Sequence, residues 1–264
     1  MRSNNPTLKN NTFDIAASED ESVMTLDGVV FKTMSLLAIV IFFGGVVWSH
    51  VMAGFEVMAP DVIATTGYMD RLTGVPSIAY AYLFGGSIGG LAMVFVCCSN
   101  KCMTYIFAPI YAALEGVSLG AFSSIAEYTH PGIIAQAVGL TFAVFVSMLI
   151  IYMTRIIKPT ENFALGLLSA MIGILVFYVG CIAYSIFTGQ PSIMMSTSPL
   201  SIGISLFVVG IAAMNLVLDF DFIENGIASR CPKYMEWYAA FGMIVTLVWL
   251  YVEIVNLLRK LKSE

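Results

Sequence analysis

Three carboxylates fall within six positions at the end of a long uncharged run. Asp219, Asp221 and Glu224 lie in "LVLDFDFIENG" (216–226), directly after "SIGISLFVVGIAAMN" (201–215). Two further acids, Glu115 and Glu253, are also set among apolar residues. Carboxyl groups in such surroundings have two chemistries open to them: they hold or release a proton, and once ionised they attract a hard cation that prefers oxygen ligands, such as calcium. Two carboxylates in one low-dielectric site cannot both ionise cheaply, so they share a proton and titrate as a pair. An acid at mid-bilayer costs about 2.5–3.5 kcal/mol on insertion scales and needs a partner or a wet cavity.

Helical geometry divides the first group. Asp219 and Asp221 are two positions apart, so they point about 200° away from each other. Asp219 shares a face with Asn215, whereas Asp221 shares one with Glu224 and Asn225. One division buries the Asn215–Asp219 face and leaves Asp221 and Glu224 at the cytoplasmic rim; in the other, all three simply end the helix at the water boundary. Glu253, in "VWLYVEIVNLLRKL" (248–261), lies six residues before Arg259. It reads either as a snorkelling acid paired with Arg259 or Lys260 or as an inward-facing group, and a full turn of apolar residues on both sides favours the inward reading. Glu115, about twelve residues into its segment, reads as near the bilayer midplane, a poor place for an interfacial acid, which leaves an ion-pathway group or a buried, hydrogen-bonded structural glutamate. His50 and His130 read as structural or solvated, and "CCSNKC" (97–102) lacks the second half of a metal site, which leaves thiols at a helix end.

Membrane-spanning helices must position these groups. Of 264 residues, 59% are hydrophobic and only 11% charged, with a mean hydropathy of +0.88. A soluble domain carries roughly 25% charged residues. The chain therefore reads as an all-α integral membrane protein, and its net charge of -5 offers no basic surface for nucleic acid. Apolar runs of spanning length occur at 34–55, 78–98, 103–126, 132–153, 164–187, 199–221 and 236–258. Residues 1–28 read as a polar, partly disordered tail without a signal-peptide core, and 29–264 as one seven-helix domain.

Lysines and arginines orient this arrangement. The tail side, with the second, fourth and sixth loops, holds Arg2, Lys9, Lys32, Lys101, Arg155, Lys158, Arg230 and Lys233; the other side holds Arg71, Arg259, Lys260 and Lys262. The positive-inside rule places the N-terminus in the cytoplasm. The C-terminal trio argues the other way, and a re-entrant last segment would answer it, but 236–258 is long enough to cross. Close helix packing is expected at Gly85–Gly89, Gly86–Gly90 and Gly116–Gly120, each a GxxxG spacing.

Three passages resemble the Bax inhibitor family, the transmembrane Bax-inhibitor-motif proteins, and especially its bacterial branch. They are "APIYAALEGVSLGAFS" (108–123), "NLVLDFDFIENG" (215–226) and "LYVEIVNLLRKL" (250–261). The resemblance implies six helices wrapped around a central seventh, a bacterial inner membrane, and for some members a pH-sensitive calcium leak. It also implies a proton-sensing pair between the sixth and seventh helices, carried here by Asp219 or Asp221 with Glu253. Calcium would bind transiently at Asp219 and Glu253, and Glu115 would belong to the same ion pathway, with Asn215 and Arg259 as supporting polar groups. Glutamate stands where the family has a seventh-helix aspartate. A turn at 226–233 would put Asp219 ~10 Å and Glu253 ~28 Å from it, so direct pairing needs a later turn or a break in the last helix; otherwise Glu253 faces another group, with Glu115 the obvious alternative.

Two functions follow, a proton-gated cation leak and a non-conducting regulator that docks a membrane protease or stress-response partner through its tail. No G-x-G-D or H-E-x-x-H motif occurs, and the G-x-S-x-G spacings at 85–89 and 116–120 fall inside apolar runs rather than at the strand-to-helix turn of a nucleophile elbow, so no enzyme and no resident cofactor is expected.

Overall fold

The computed structural model describes residues 22–62, 77–157, 159–189 and 196–263, apart from the side chains of 56–62. Seven helices follow in order: α1 (Leu26–Val62), α2 (Ser77–Ser99), α3 (Thr104–Thr129), α4 (Ile133–Met153), α5 (Glu161–Thr188), α6 (Pro199–Ala228) and α7 (Met235–Lys262). Each is long and apolar enough to cross a membrane, and the protein is an all-α, multi-pass membrane protein. α3, α6 and α7 bury 44% of their apolar windows within the protein, against 11–17% for the other four. The former supply protein-facing surface, and the latter leave side chains such as Phe31, Phe95, Ile186 and Phe187 for lipid.

Local chemistry sets the ends. α1 begins eight residues before its apolar run suggests, because the Thr25 hydroxyl accepts a bond from the Gly28 amide and caps the first turn. Thr160 caps α5 by accepting from Phe163 N, and α5 ends at Gly189 with φ 66, where glycine bears the left-handed backbone without strain. Ser198 caps α6, with Pro199 just inside the helix. The Glu127 carboxylate accepts from the amides of Gly132 and Ile134, tying off the start of α4. α6 runs on to Ala228, seven residues past its apolar run, and α7 continues unbroken for 28 residues.

The chain divides into two compact units: residues 21–134 with 232–244, and 135–231 with 245–264 among the described residues. In the first, α1 and α2 both pack on α3 through glycines. A Cβ on Gly86 would lie 2.7 Å from the Leu114 carbonyl, and one on Gly116 2.6 Å from the Val40 carbonyl. Gly120 similarly abuts the Gly44 carbonyl, whereas Gly85 faces open space. Of the two overlapping spacings in "GGSIGG", Gly86–Gly90 is therefore the one that brings backbones and functional groups together. In the second unit, Leu167, Ile174, Val208 and Ile211 form a core between α5 and α6, joined by Met171, Tyr178 and Trp249. Phe220 of α6 packs against Phe145 and Tyr152 of α4.

Candidate functional site

In the second unit the α6 carboxylates separate by face, as their 200° offset requires. Asp219 is half-buried and hydrogen-bonds the Thr246 side chain of α7, while its Oδ2 is sealed from solvent with no hydrogen-bond partner. Asn215, one turn earlier, is buried and donates to Met171 Sδ of α5 at 3.1 Å. On the other face Asp221 accepts from Asn225 Nδ2 at 2.8 Å. Glu224 is exposed and accepts from Tyr152 OH and from Arg155. Arg155 lies beyond the end of α4 with φ 57, and its guanidinium sits over the Tyr152 ring, 5.3 Å from the centroid. The Glu224 carboxylate, bonded to it, pushes the Arg155 pKa above its ordinary value. Asp221 and Glu224 thus make a charged rim, and Asp219 faces inward.

Glu253 is buried, with 4% of its surface exposed. Its Oε1 accepts from Tyr178 OH of α5 at 3.0 Å and from Trp249 Nε1 at 3.3 Å, so its partners are neutral donors. Lys260 reaches the Ser205 hydroxyl of α6 at 2.6 Å and the Ser201 carbonyl at 3.3 Å. Arg259 is half-buried in the last turn of α7.

Asp219 and Glu253 have different partners. The α6–α7 turn occupies 229–234 and α7 has no break. Asp219 stands level with Thr246, seven residues before Glu253, or about 10 Å along α7 at 1.5 Å per residue. The two acids occupy successive levels of one helix interface.

Glu115 of α3 belongs to the first unit. Its Oε2 lies where a Cβ on Gly90 would meet it at 2.7 Å, so the missing side chain on α2 is what seats the carboxylate. One turn before it, the buried Tyr111 stacks edge-on against Phe241 of α7 at 5.1 Å. Nearby, Ser118 donates to the Leu83 carbonyl and shares a 2.7 Å bond with Ser87.

One acid in this unit carries no sequence signal of its role. Glu236 has no exposed surface and accepts from Thr25 N and Oγ1, both at 2.9 Å, and from Lys32. Lys32 also lies over the Trp237 ring, 5.5 Å from its centroid. An acid in the first turn of a helix, as Glu236 is, reads as an ordinary dipole partner, and only the return of α1 to this point reveals the buried pair. A Val23–Pro232 bridge and a bond from Lys233 N to Ser22 O at 3.0 Å complete the junction. Most of the tail expected to dock a partner lies before Ser22, outside the described residues.

His50 makes an edge contact with Tyr82, and His130 bonds the neighbouring Thr129 hydroxyl. Among the described residues no three His, Cys, Asp or Glu side chains cluster as metal ligands. Comparison with curated proteins and with solved structures returned no match. A family model described as Bax inhibitor 1 like matches residues 5–263. That match takes in all seven helices and each acid described above, and the chain belongs to the Bax inhibitor 1-like family.

Proposed function

We propose that this multi-pass membrane protein is a pH-sensitive cation leak, with calcium as the conducted ion. The observation that supports it most is Asp219, whose Oδ2 is buried in a membrane span without a partner. A neutral carboxyl group tolerates that position. An ionised one has the Thr246 hydroxyl on its other side, and its unsatisfied lone pairs draw in water or a cation. Loss of the proton therefore opens the α6–α7 interface to cations, and Glu253 offers a second carboxylate about two turns further along α7. Glu115 would serve cations within the first unit. No chemical transformation is assigned to the protein. The charge distribution supports a cytoplasmic N-terminus, and the family's bacterial branch supports a plasma-membrane location.

The test is calcium entry into liposomes holding the purified protein, across a range of pH. Flux should rise as pH rises. Asp219→Asn should flatten the profile, and Glu253→Gln should lower the flux while leaving some pH dependence. Identical profiles for wild type and Asp219→Asn would remove the support.

A further inference from the structure

The second unit carries a polar stripe with a basic end. Thr246, Glu253 and Lys260 recur every seven residues on α7, which keeps them on one face with a drift of about 20° per repeat. The facing stripe on α6 has the same spacing: Ser205, Ala212 and Asp219. The contacts Asp219 to Thr246 and Ser205 to Lys260 fix the register, because fourteen residues separate the two contacts on each helix. The stripe is thus about 21 Å long at 1.5 Å per residue, with Glu253 halfway and level with the small, fully buried Ala212.

At its far end the Lys260 ammonium is held across the helix seam by Ser205 Oγ and the Ser201 carbonyl. Both belong to the first two turns of α6, which begins at Pro199. A helix N-terminus already carries about half a positive charge, so this is the end of α6 at which a cation is least favoured. Arg259 and Lys262 flank it on α7 at one and two positions, and Glu253 lies one repeat back. A lysine serving only to reach the headgroups would extend its ammonium outward, whereas this one turns onto the opposite helix. Its charge adds to that of the α6 terminus, and such a combination is an electrostatic barrier to cations in a pore.

We infer that Lys260 is the charge filter of the leak, a fixed ammonium that closes the Ser205–Lys260 end of the stripe to cations and limits their passage. This rests on the cation-leak reading and names the residue that restrains it. Ser205 is the positioning residue, since its hydroxyl pins the ammonium on the seam.

The experiment measures calcium entry into liposomes holding the full-length protein as wild type, Lys260→Gln, Lys260→Arg and Ser205→Ala. Rates are normalised to incorporated protein, and melting temperatures in detergent are recorded. Removing the fixed charge should raise the entry rate about ten-fold or more. Lys260→Arg keeps the charge and should stay within about two-fold of wild type on the same ground, and Ser205→Ala should fall between. If wild type conducts and Lys260→Gln conducts no faster, the filter is overturned and the leak stands. If Lys260→Gln and Lys260→Arg gain flux equally in step with lost thermal stability, Lys260 is structural and the filter is again overturned. If neither wild type nor Lys260→Gln exceeds protein-free liposomes at any pH, the leak and its filter fall together.

Discussion

The Glu236 carboxylate lies against the α-carbon of Gly28, in the space a side chain there would occupy. A flexible glutamate could ordinarily swing aside, but this one is fixed by Thr25 N, Thr25 Oγ1 and Lys32. Gly28→Ala therefore forces those bonds apart despite alanine's better helix propensity. The expected loss is about 1–3 kcal/mol, as for overpacking elsewhere, read as a lower melting temperature in detergent. Unchanged melting would show that the junction yields freely.

Breaking the pair from one side should cost more. Glu236→Gln leaves the Lys32 ammonium largely buried, at 13% side-chain exposure, without its counter-charge, for an expected loss of about 3 kcal/mol. The double variant Lys32→Met with Glu236→Leu should be closer to wild type than Glu236→Gln, since a buried pair replaced by apolar groups is often near neutral. A double-mutant cycle in thermal unfolding checks both statements.

The glycines of α1 to α3 should differ sharply despite similar spacing. Gly120→Ala pushes a methyl group into the Gly44 carbonyl, and a backbone atom cannot rotate away. A loss of about 2 kcal/mol or more is expected, within the overpacking range. Gly85→Ala meets nothing within 4 Å and should gain up to about 1 kcal/mol from helix propensity. Expression level and melting temperature of the two variants give the comparison.

Arg155 has a positive φ and an exposed ion pair. Glycine at this position loses the pair with Glu224 and relieves the backbone, two small effects of opposite sign. Arg155→Gly should leave the melting temperature within about 2 °C of wild type. A larger drop would mean that the Arg155–Tyr152–Glu224 cluster holds α4 to α6.

Tyr178→Phe removes one of two donors to Glu253 while keeping the ring in the α5–α6 core. The loss should be about 1–3 kcal/mol, the range for leaving a buried polar group short of a partner. It should exceed that of Tyr184→Phe on the exposed side of α5, both measured by thermal unfolding.

Span number, the opposed faces of Asp219 and Asp221, and the offset of Glu253 from Asp219 were all legible, because each depends on rise and rotation per residue. The offset persists in the structure, where Asp219 meets Thr246 and Glu253 meets Tyr178 and Trp249. Those partners were not legible. Tyr178 and Trp249 look like ordinary membrane aromatics, and an i,i+4 neighbour is one choice among several on a helix. The buried Glu236 pair escaped for another reason. It joins residues more than 200 positions apart, and no local pattern in "KYMEWY" distinguishes a buried acid from a solvated one. Likewise, the sequence offered two glycine spacings in "GGSIGG" with no means of choosing, because rotation of α2 about its axis is set by its neighbour.

The hydrogen bond from Lys233 N to Ser22 O has a topological consequence. Backbone atoms that touch share a compartment, so an even number of crossings separates residue 22 from residue 233, in agreement with six intervening helices. One more crossing by α7 would carry Lys262 to the opposite compartment, against the placement that the C-terminal basic trio favours. Reporter domains fused at the two ends should light up on opposite faces of the bilayer.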